Sequence, residues 1–487
     1  MVRSRLLTLF LLAAAGYWLA ACTAAFGPGY VIDKQQIDVK FNPSPEPRIQ
    51  IDAEYKLRNN GIAPLSSIEL RLPGRHSFHF ANPIARWDSQ ALAIETSPDN
   101  PRNVLLQLPQ KWSVAASHTL HLAVEYQTSP EDADNLSFSA DAFFLPAEGW
   151  SPELLPARGA FAFGGVPPKK WNLSVRVPNG FLVHVSGRSV KSSHSGNSQT
   201  FRAEQQAKDG YPFVVAGQYT QTNLNASDQP LRLWTRTPQN SAALQTSTAT
   251  LLRAMQAYDE VFGRRGKNMH DLWIVECPVA ARCFSNAPSS YARLIYENDQ
   301  PQSAEMASGD TVLFNPSGGD SKIVAAIAPS LASSWLGYGQ NPGFFEQDPP
   351  LSALPAFAAS RGREAVEGLQ VRNETIRRVL RVIPTDGQPH KPEDPSVVRA
   401  KSLLFFYGLQ DRYGHEVFRK AVAHMLQARR GGGFDLDDLI SAFEQETHQN
   451  VAEFVRLWMK HPGVPSEFRA RYENSSSAKS IIPKETP

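Results

Sequence analysis

The sequence is poor in cysteine, carries almost no net charge and lacks the His-Glu-x-x-His motif of a zinc-binding helix. Its 487 residues include three cysteines and have a formal charge of +2. Because no basic run is present, nucleic acid is not an expected partner. The one His-Glu pair, His415-Glu416, has Arg419 where the motif needs its second histidine. A metal site built on that motif is therefore excluded.

The amino terminus has the pattern of an export signal. Arg3 and Arg5 precede an apolar run over residues 6–21, and small residues lead to Cys22. The junction Leu-Ala-Ala-Cys that ends at Cys22 resembles the lipobox of bacterial lipoproteins. This resemblance implies that residues 1–21 are cleaved as a signal peptide, that Cys22 carries a diacylglyceryl thioether, and that residues 22–30 form a lipid-anchored linker. An uncleaved membrane helix is the alternative, because the run approaches the roughly 20 residues that span a bilayer.

Export would decide where the protein is attached and whether its remaining cysteines are oxidised. Thr23 follows Cys22 where an Asp would retain a lipoprotein at the inner membrane. We therefore expect attachment in the bacterial cell envelope, at the outer membrane facing the periplasm or at the cell surface. In such an oxidising compartment Cys277 and Cys283 can form a short-loop disulfide, the alternative being two free buried thiols. The 466 residues left after cleavage (487 minus 21) suffice for two or three domains.

Residues 31–220 show the alternation of apolar and polar side chains that is typical of half-buried strands. The alternating runs are residues 49–57, 68–72, 120–126, 173–177 and 181–185. Asn60-Gly61 and Asn179-Gly180 mark turns between runs. Many short strands at this spacing predict a β-sandwich or a saddle-shaped sheet. Residues 132–168, which mix aromatic residues with Pro and Gly, indicate an irregular connection.

Two histidine pairs in this half raise the question of a metal site. His76 and His79 lie three residues apart, as do His118 and His121. On a strand this separation places the two side chains on opposite faces, so neither pair suits a single ion. We expect solvated or capping histidines at these positions.

The second half changes to helical spacing. An amphipathic helix is indicated by Leu244, Thr248, Leu251, Met255, Tyr258 and Phe262. Residues 272–275 read as a short buried strand. Closing helices are indicated by Leu436, Leu439, Ile440, Phe443, Val451, Phe454, Val455 and Trp458. The Ser- and Lys-rich tail, residues 473–487, is expected to be disordered.

Residues 322–338 read as a buried helix, with Ile323, Ile327, Leu331 and Trp335 recurring at helical spacing. The stretch resembles the zinc-binding helix of the aminopeptidase N family of gluzincin metallopeptidases, whose pattern is roughly I-A-H-E-L-A-H-Q-W-W-G. The resemblance covers most of residues 31–465. It is strong from about residue 231 onward and rests on the strand pattern before that.

The alignment assigns zinc and catalytic roles to residues that cannot perform them. The two ligand histidines fall on Pro329 and Ser333, and the general-base Glu falls on Ser330. The third ligand, the Glu of L-N-E-G-F-A, falls on Pro355. The oxyanion-stabilising Tyr of Y-x-K-G falls on Arg399. Because a hydrolytic zinc site needs about three ligands from His, Asp, Glu or Cys, the resemblance implies a scaffold whose site is vacant.

The same alignment names the residues that line the cleft of the family. The loop motif G-x-M-E-N, whose Glu grips the amino terminus of the substrate, falls on residues 282–286. Asn286 is retained there and Ser285 replaces the Glu. Together with Trp335 and Arg399, these are the candidate cleft residues.

The resemblance implies a multidomain α+β protein. An all-β sandwich or saddle domain over residues 31–228 precedes a thermolysin-like, mostly helical peptidase-type domain over residues 229–472. The carboxy-terminal resemblance includes the pattern W-x-x-x-P-G-x-P, which begins at Trp458.

These patterns lead to one main hypothesis and two alternatives. The main hypothesis is an exported pseudo-peptidase, not an enzyme and without a cofactor, which is anchored to the membrane through Cys22 and binds a peptide or an envelope protein in its emptied cleft. The first alternative is an active zinc metalloaminopeptidase with unrecognised ligands. A serine hydrolase using Ser330 or Ser333 would need an adjacent base, and no histidine is nearby. The second alternative is a structural lipoprotein that binds through its β domain.

Overall fold

The computed structural model describes the chain from Gly29 to Glu473, with gaps. The described residues are 29–44, 46–72, 80–96, 103–127, 137–145, 150–157, 165–186, 188–206, 212–226, 229–238, 240–263, 271–278, 306–308, 311–316, 349–385, 394–428, 435–461 and 463–473. The chain forms two compact units, Met1–Tyr219 and Thr220–Pro487, here called the first and second units. The predicted signal peptide lies outside the described residues, and so does the predicted disordered tail apart from Glu473, which is helical; both stay predictions.

The first unit is built from strands. They are β1 (Val31–Asn42), β2 (Arg48–Arg58), β3 (Leu65–Arg71), β4 (Phe80–Trp87), β5 (Gln90–Leu92), β6 (Ile94–Thr96), β7 (Asn103–Trp112), β8 (Ser117–Gln127), β9 (Ser137–Ser139), β10 (Ala142–Leu145), β11 (Glu153–Leu154), β12 (Lys170–Pro178), β13 (Leu182–Val185), β14 (Arg188–Ser195), β15 (Ser198–Gln206) and β16 (Val214–Gly217).

These strands form three sheets. Eight strands pair in the order β14-β15-β12-β1-β2-β8-β4-β5, with β1 parallel to β12 and antiparallel to β2. Two four-stranded sheets have the orders β13-β16-β10-β9 and β11-β3-β7-β6. In β2 every second residue is buried and its neighbours are polar, which is the alternation expected of a sheet with one face on the core. The predicted all-β character of this half is confirmed.

Two details of this half go beyond the sequence-based prediction. The turns at Asn60-Gly61 and Asn179-Gly180 join strands of different sheets, because β3 and β13 pair in sheets other than those of β2 and β12. The expectation of an irregular connection over residues 132–168 was wrong in part, because the described residues of that stretch include the short strands β9, β10 and β11. All four residues of β10 are buried, so this strand has no alternating pattern that could have revealed it.

Buried tyrosines hold this stretch against the large sheet. The Tyr55 hydroxyl donates to the carbonyl of Pro152 at 2.5 Å, and that of Tyr126 donates to the carbonyl of Trp150 at 3.1 Å. The indole N–H of Trp150 donates to the carbonyl of Pro212 at 3.0 Å. Because a buried polar group must find a partner, these bonds fix one path for the segment between the sheets.

The described residues of the second unit form five strands and nine helices. The strands are β17 (Thr220–Ala226), β18 (Gln229–Thr235), β19 (Leu272–Glu276), β20 (Met306–Ser308) and β21 (Thr311–Phe314), paired in the order β17-β18-β19-β21-β20. The helices are α1 (Ala242–Phe262), α2 (Pro349–Ser352), α3 (Leu354–Glu367), α4 (Gln370–Leu380), α5 (Pro395–Tyr413), α6 (His415–Ala428), α7 (Leu436–Thr447), α8 (Val451–Lys460) and α9 (Ser466–Glu473). The predicted helix over residues 244–262, the short strand and the closing helices are all present.

The boundary between the units differs from the predicted one at residues 228 and 229. Strand β17 pairs along its whole length with β18, so residues 220–226 belong to the sheet of the second unit. The sequence of β17 resembles the strands before it, so the predicted boundary left this strand in the first unit.

Helix α5 is the centre of the second unit. Its residues from Ser402 to Gln410 are buried, which is the signature of a helix surrounded by others. Helices α2, α3, α4 and α6 all pack against it. No helix among the described residues is long and apolar enough to cross a membrane.

Candidate functional site

The sequence-predicted site residues divide into two groups. Those outside the described residues are Cys22, Cys283, Ser285, Asn286, Pro329, Ser330, Ser333 and Trp335. The described ones, Cys277, Pro355 and Arg399, all lie in the second unit, on β19, α3 and α5 or directly after them. These three elements position the described residues of the candidate site.

Pro355 lies at the beginning of α3. Helix α3 starts after Ala353, with the proline in its first turn, where a missing backbone N–H costs nothing because no partner would be available. Proline has no side-chain donor for a metal. The residue at the predicted third-ligand position thus suits a helix start and does not fit zinc.

The next turn of α3 packs into an aromatic cluster. The ring of Phe357 lies 5.7 Å from that of Phe406, 5.0 Å from that of Tyr407 and 5.2 Å from that of Phe418. All four side chains are fully buried. Burying such rings contributes about 1.5–3 kcal/mol each, so the start of α3 is held firmly against α5 and α6.

Arg399 lies in the second turn of α5. The helix begins with a side-chain cap, in which Oδ1 of Asp394 accepts from the backbone N–H of Ser396 at 2.9 Å. Hydrogen bonds from Ser396 hold the pKa of Asp394 below its usual range, and the nearby charge of Arg399 acts in the same direction. The Arg399 side chain is half-buried, and its Nε has no hydrogen-bond partner among the described residues.

Lys401, two residues further on, serves the structure of the helical layer. Its Nζ donates to the carbonyl of Met459 at 3.2 Å and to that of His461, the residue that caps the carboxyl end of α8. Burial lowers the pKa of this amine. A cation at a helix carboxyl end satisfies carbonyls that have no partner within the helix. Lys401 therefore ties the end of α8 to α5, a role that sequence reasoning missed.

The carboxyl ends of parallel strands β18 and β19 form a second cluster. Glu276, the last residue of β19, accepts from the backbone N–H groups of Arg236 at 2.7 Å and Thr237 at 2.8 Å. Its other oxygen accepts from the Thr237 hydroxyl at 2.8 Å. In open α/β sheets, ligands bind in the crevice beyond the carboxyl ends of the strands. The Glu276 cluster therefore marks the edge of this sheet at which a ligand-binding cleft is expected.

Cys277 follows Glu276 directly. It is buried and disulfide-bonded, and its partner lies outside the described residues. The Arg236 guanidinium donates to the carbonyl of Cys277 at 3.0 Å and to that of Pro278. The predicted pairing of Cys277 with Cys283 stays a prediction.

A buried polar network joins side chains of α3 to a side chain of α5. Ser360 and Tyr407 share a hydrogen bond of 2.5 Å, and the Tyr407 hydroxyl donates to Glu364 Oε1 at 3.4 Å. Arg361 pairs with the same carboxyl group, whose pKa burial raises. The guanidinium of Arg372 lies 5.4 Å from the centre of the Tyr407 ring. The network locks the two helices together. Its members are spread over nearly fifty positions, so no local motif could have revealed it.

Among the residues that the structure describes, no group of three or more His, Cys, Asp or Glu side chains could hold a metal ion. The two described histidines of the predicted pairs each lie beside a carboxylate. His118 Nδ1 lies 2.8 Å from Asp88 Oδ2, and His121 Nδ1 lies 3.7 Å from Glu54 Oε2. His76 and His79 lie outside the described residues.

Comparison with solved structures gives the fold. The chain is similar to a mutant M1 zinc metallopeptidase from Deinococcus radiodurans, with a TM-score of 0.50 and 14% identity over 90% of this chain and 96% of that one. It is also similar to aminopeptidase A from Legionella pneumophila, determined in complex with aspartic acid, with a TM-score of 0.53 and 13% identity. That match covers 89% of this chain and 50% of the Legionella chain. No protein-family model and no curated protein matches the sequence.

The chain therefore has the two-domain fold of the M1 zinc metallopeptidases, with a β-rich domain followed by a helical one. The predicted fold class is confirmed. At identities this low the likeness concerns the fold alone, so activity has to be argued from the residues of this chain.

Proposed function

We propose that this protein is an exported, lipid-anchored pseudo-peptidase that binds a peptide, or a peptide segment of an envelope protein, where M1 enzymes hold their substrate. The observation that carries the proposal is Pro355 at the start of α3. The fold is retained over 90% of the chain, yet the third-ligand position holds a residue that cannot bind metal. The sequence places Pro329, Ser330 and Ser333 at the remaining positions of the zinc helix.

The chemistry of these residues argues against hydrolysis. A zinc peptidase needs two imidazoles and a carboxylate to hold the ion, and a glutamate to take a proton from the water that attacks. Proline and serine offer neither function. Bound zinc would supply the nucleophile itself, so its loss cannot be offset by the remaining scaffold.

Arg399 supports a role in binding. It stands where the family has a neutral oxyanion donor, and its guanidinium is half-buried with Nε unpartnered among the described residues. A peptide carboxylate can pair with the positive charge of this half-buried side chain, and charged hydrogen bonds of this kind contribute about 1.5–3 kcal/mol.

The first test is elemental analysis of the purified chain with an aminopeptidase assay. We expect substoichiometric zinc and no chelator-sensitive cleavage of aminoacyl or peptide substrates. Near one zinc per chain together with such cleavage would overturn the proposal and favour an active metalloaminopeptidase with unrecognised ligands.

The second test concerns the cleft. A mixture of short peptides with free carboxyl ends should bind more tightly than the same peptides amidated, by about tenfold or more. The Arg399→Ala variant should remove this preference. Arg412→Ala, an exposed arginine on the same helix, is the matched control and should keep it. Equal binding of free and amidated peptides by the unmodified protein would refute the role of Arg399.

The third test concerns the anchor. Mass spectrometry of the mature protein should find a lipid-modified Cys22 at its amino terminus, and Cys22→Ser should leave the chain unlipidated. An intact Met1, or an unmodified cysteine in the membrane fraction, would contradict lipid anchoring without bearing on the cleft.

A further inference from the structure

The chain enters the first unit at an edge that is fixed by buried polar contacts. Tyr30 is buried, its hydroxyl donates to the carbonyl of Leu155 at 2.5 Å, and its ring lies 5.7 Å from that of Trp112. The Trp112 indole N–H donates in turn to the carbonyl of Ala116 at 2.9 Å. The entering residues are thus tied to the turn that joins β7 and β8.

A second loop is held to the same place by Asn59. The backbone N–H of Asn59 donates to the carbonyl of Ala116 at 3.1 Å, and its carbonyl accepts from Ala115 at 2.8 Å. Its side chain donates to the carbonyl of Trp112 at 2.9 Å and accepts from Gly61 at 2.9 Å. A Cβ placed on Gly61 would lie 2.8 Å from the carbonyl oxygen of Gly29. Residues 29–30, 59–64 and 113–116 therefore form one rigid structure, here called the entry edge.

The entry edge displays two large aliphatic side chains. Ile62 is 72% exposed and Val114 is 45% exposed. Only one other large apolar residue among the described part of the first unit is comparably exposed, namely Ile84, which lies within strand β4 of the large sheet. An isolated exposed aliphatic residue is ordinary, but two in loops that share hydrogen bonds form a patch.

Basic side chains flank the patch. Lys56, two residues before the end of β2, and Lys111, next to Trp112, are exposed. Lys34 lies opposite Lys56 in the sheet. The acidic groups at this end are paired. Asp33 accepts from Arg58 at 3.1 Å and from Lys169 at 2.6 Å, and Asp88 Oδ2 lies 2.8 Å from His118 Nδ1.

We propose that the entry edge docks on the surface of a lipid bilayer, with Ile62 and Val114 at the boundary of headgroups and acyl chains and the lysines facing anionic headgroups. Apolar side chains beside exposed lysines suit that boundary. The inference rests on the proposed anchor at Cys22, which precedes Gly29 by seven residues (29 minus 22). At roughly 3.5 Å per residue this span is at most about 25 Å, so the entry edge cannot move far from the membrane. Since tethering makes docking intramolecular, weak contacts suffice.

The experiment uses the full lipidated chain in vesicles of phosphatidylethanolamine and phosphatidylglycerol in equal amounts. Single variants Ile62→Cys, Val114→Cys and, as control, Ile84→Cys carry an environment-sensitive fluorophore, attached without reductant. Doxyl-labelled lipid should quench the probes at residues 62 and 114 at least about twofold more than the probe at residue 84. Equal quenching at the three positions would overturn docking.

The anchor and the docking can fail separately. Lipid found on Cys22 with equal quenching refutes docking and leaves the anchor. To test docking without the anchor, the Cys22→Ser chain is mixed with the same vesicles at low salt. Adding both Ile62→Asp and Val114→Asp to this chain should weaken its binding to the vesicles severalfold. It should be unchanged with Leu369→Asp plus Leu457→Asp, two leucines of the second unit that are 74% and 53% exposed. Equal loss from both pairs, or shielding of the probes by a protein in the absence of vesicles, would refute the bilayer as the occupant.

Discussion

The indole of Trp458 in α8 lies directly against the backbone of Gly408 in α5. A Cβ placed on Gly408 would overlap the indole, coming within 2.9 Å of Cε2. Trp458 is 1% exposed and is also surrounded by the rings of Phe405 and Phe468, at 6.0 and 5.2 Å. The glycine is therefore required by the close approach of the two helices.

Gly408→Ala should lower the free energy of unfolding by about 1–3 kcal/mol, because the added methyl group overpacks a filled core. Urea denaturation of the second-unit transition would measure this. Trp458→Phe leaves room beside residue 408, so the double variant should be more stable than the sum of the single effects predicts. Additive effects would show that the two residues are not in contact.

Asp33 gives a pH-dependent contribution to the stability of the first unit. Hydrogen bonds from Arg58 and then Lys169 hold the pKa of its carboxyl below the usual value of 3.8. The folded state therefore stabilises the ionised form, and this contribution is present at neutral pH and lost as the pH falls through the lowered pKa. Asp33→Asn should destabilise the unit at pH ~7 and much less near pH ~3.

The matched control for this experiment is Asp38→Asn in the same strand, whose carboxylate accepts from Gln36 at 3.1 Å in place of two cations. It should change stability less at neutral pH. A loss for Asp33→Asn that is the same at both pH values would contradict the proposed ion pairs.

Glu364 should show the opposite dependence on pH. Burial raises the pKa of its carboxyl above the usual 4.5, although Arg361 and Arg372 oppose this. The folded state then binds a proton more tightly than the unfolded chain does, so stability falls as the pH rises from 4.5 through the raised pKa. Relative to Glu364→Gln, the unmodified protein should gain stability as the solution is acidified over this window. An unchanged difference between the two proteins would refute the shift.

The state of Cys277 can be checked by alkylation. Because its sulfur is bonded and buried, Cys277 should resist iodoacetamide in native protein until reductant is added. If the predicted partner is right, Cys283 becomes reactive in the same step, and mass spectrometry of unreduced peptides should recover the two cysteines together. Rapid labelling of both thiols in unreduced protein would refute the pair.

Much of the fold could be read from local patterns. The alternation over residues 49–57 predicts β2, and the apolar spacing from Leu244 to Phe262 predicts α1, because each element must bury one face of known period. Sheet membership could not be read in this way. The turn at Asn60-Gly61 looks like that of a hairpin, yet the strands on either side pair in different sheets.

The sequence predicted which positions belong to the candidate site, but it did not predict the contacts that their side chains make. The alignment assigned ligand and oxyanion roles to Pro355 and Arg399, and the structure places both at the start of helices in the second unit. The functions of Lys401 and Glu364 escaped prediction, because each acts on groups far away in the chain.

The sequence alone determined which side chains stand at the aligned zinc positions, since Pro329, Ser333 and Pro355 are none of the His, Asp, Glu or Cys residues from which zinc sites are built. It also determined the periods of the strands and helices, which depend on neighbouring residues. The tertiary structure alone decided that Gly408 must lack a side chain beside Trp458, and that the loops carrying Ile62 and Val114 meet where the chain enters. Both relationships join residues about fifty positions apart, and only the packing of separate elements brings such residues together.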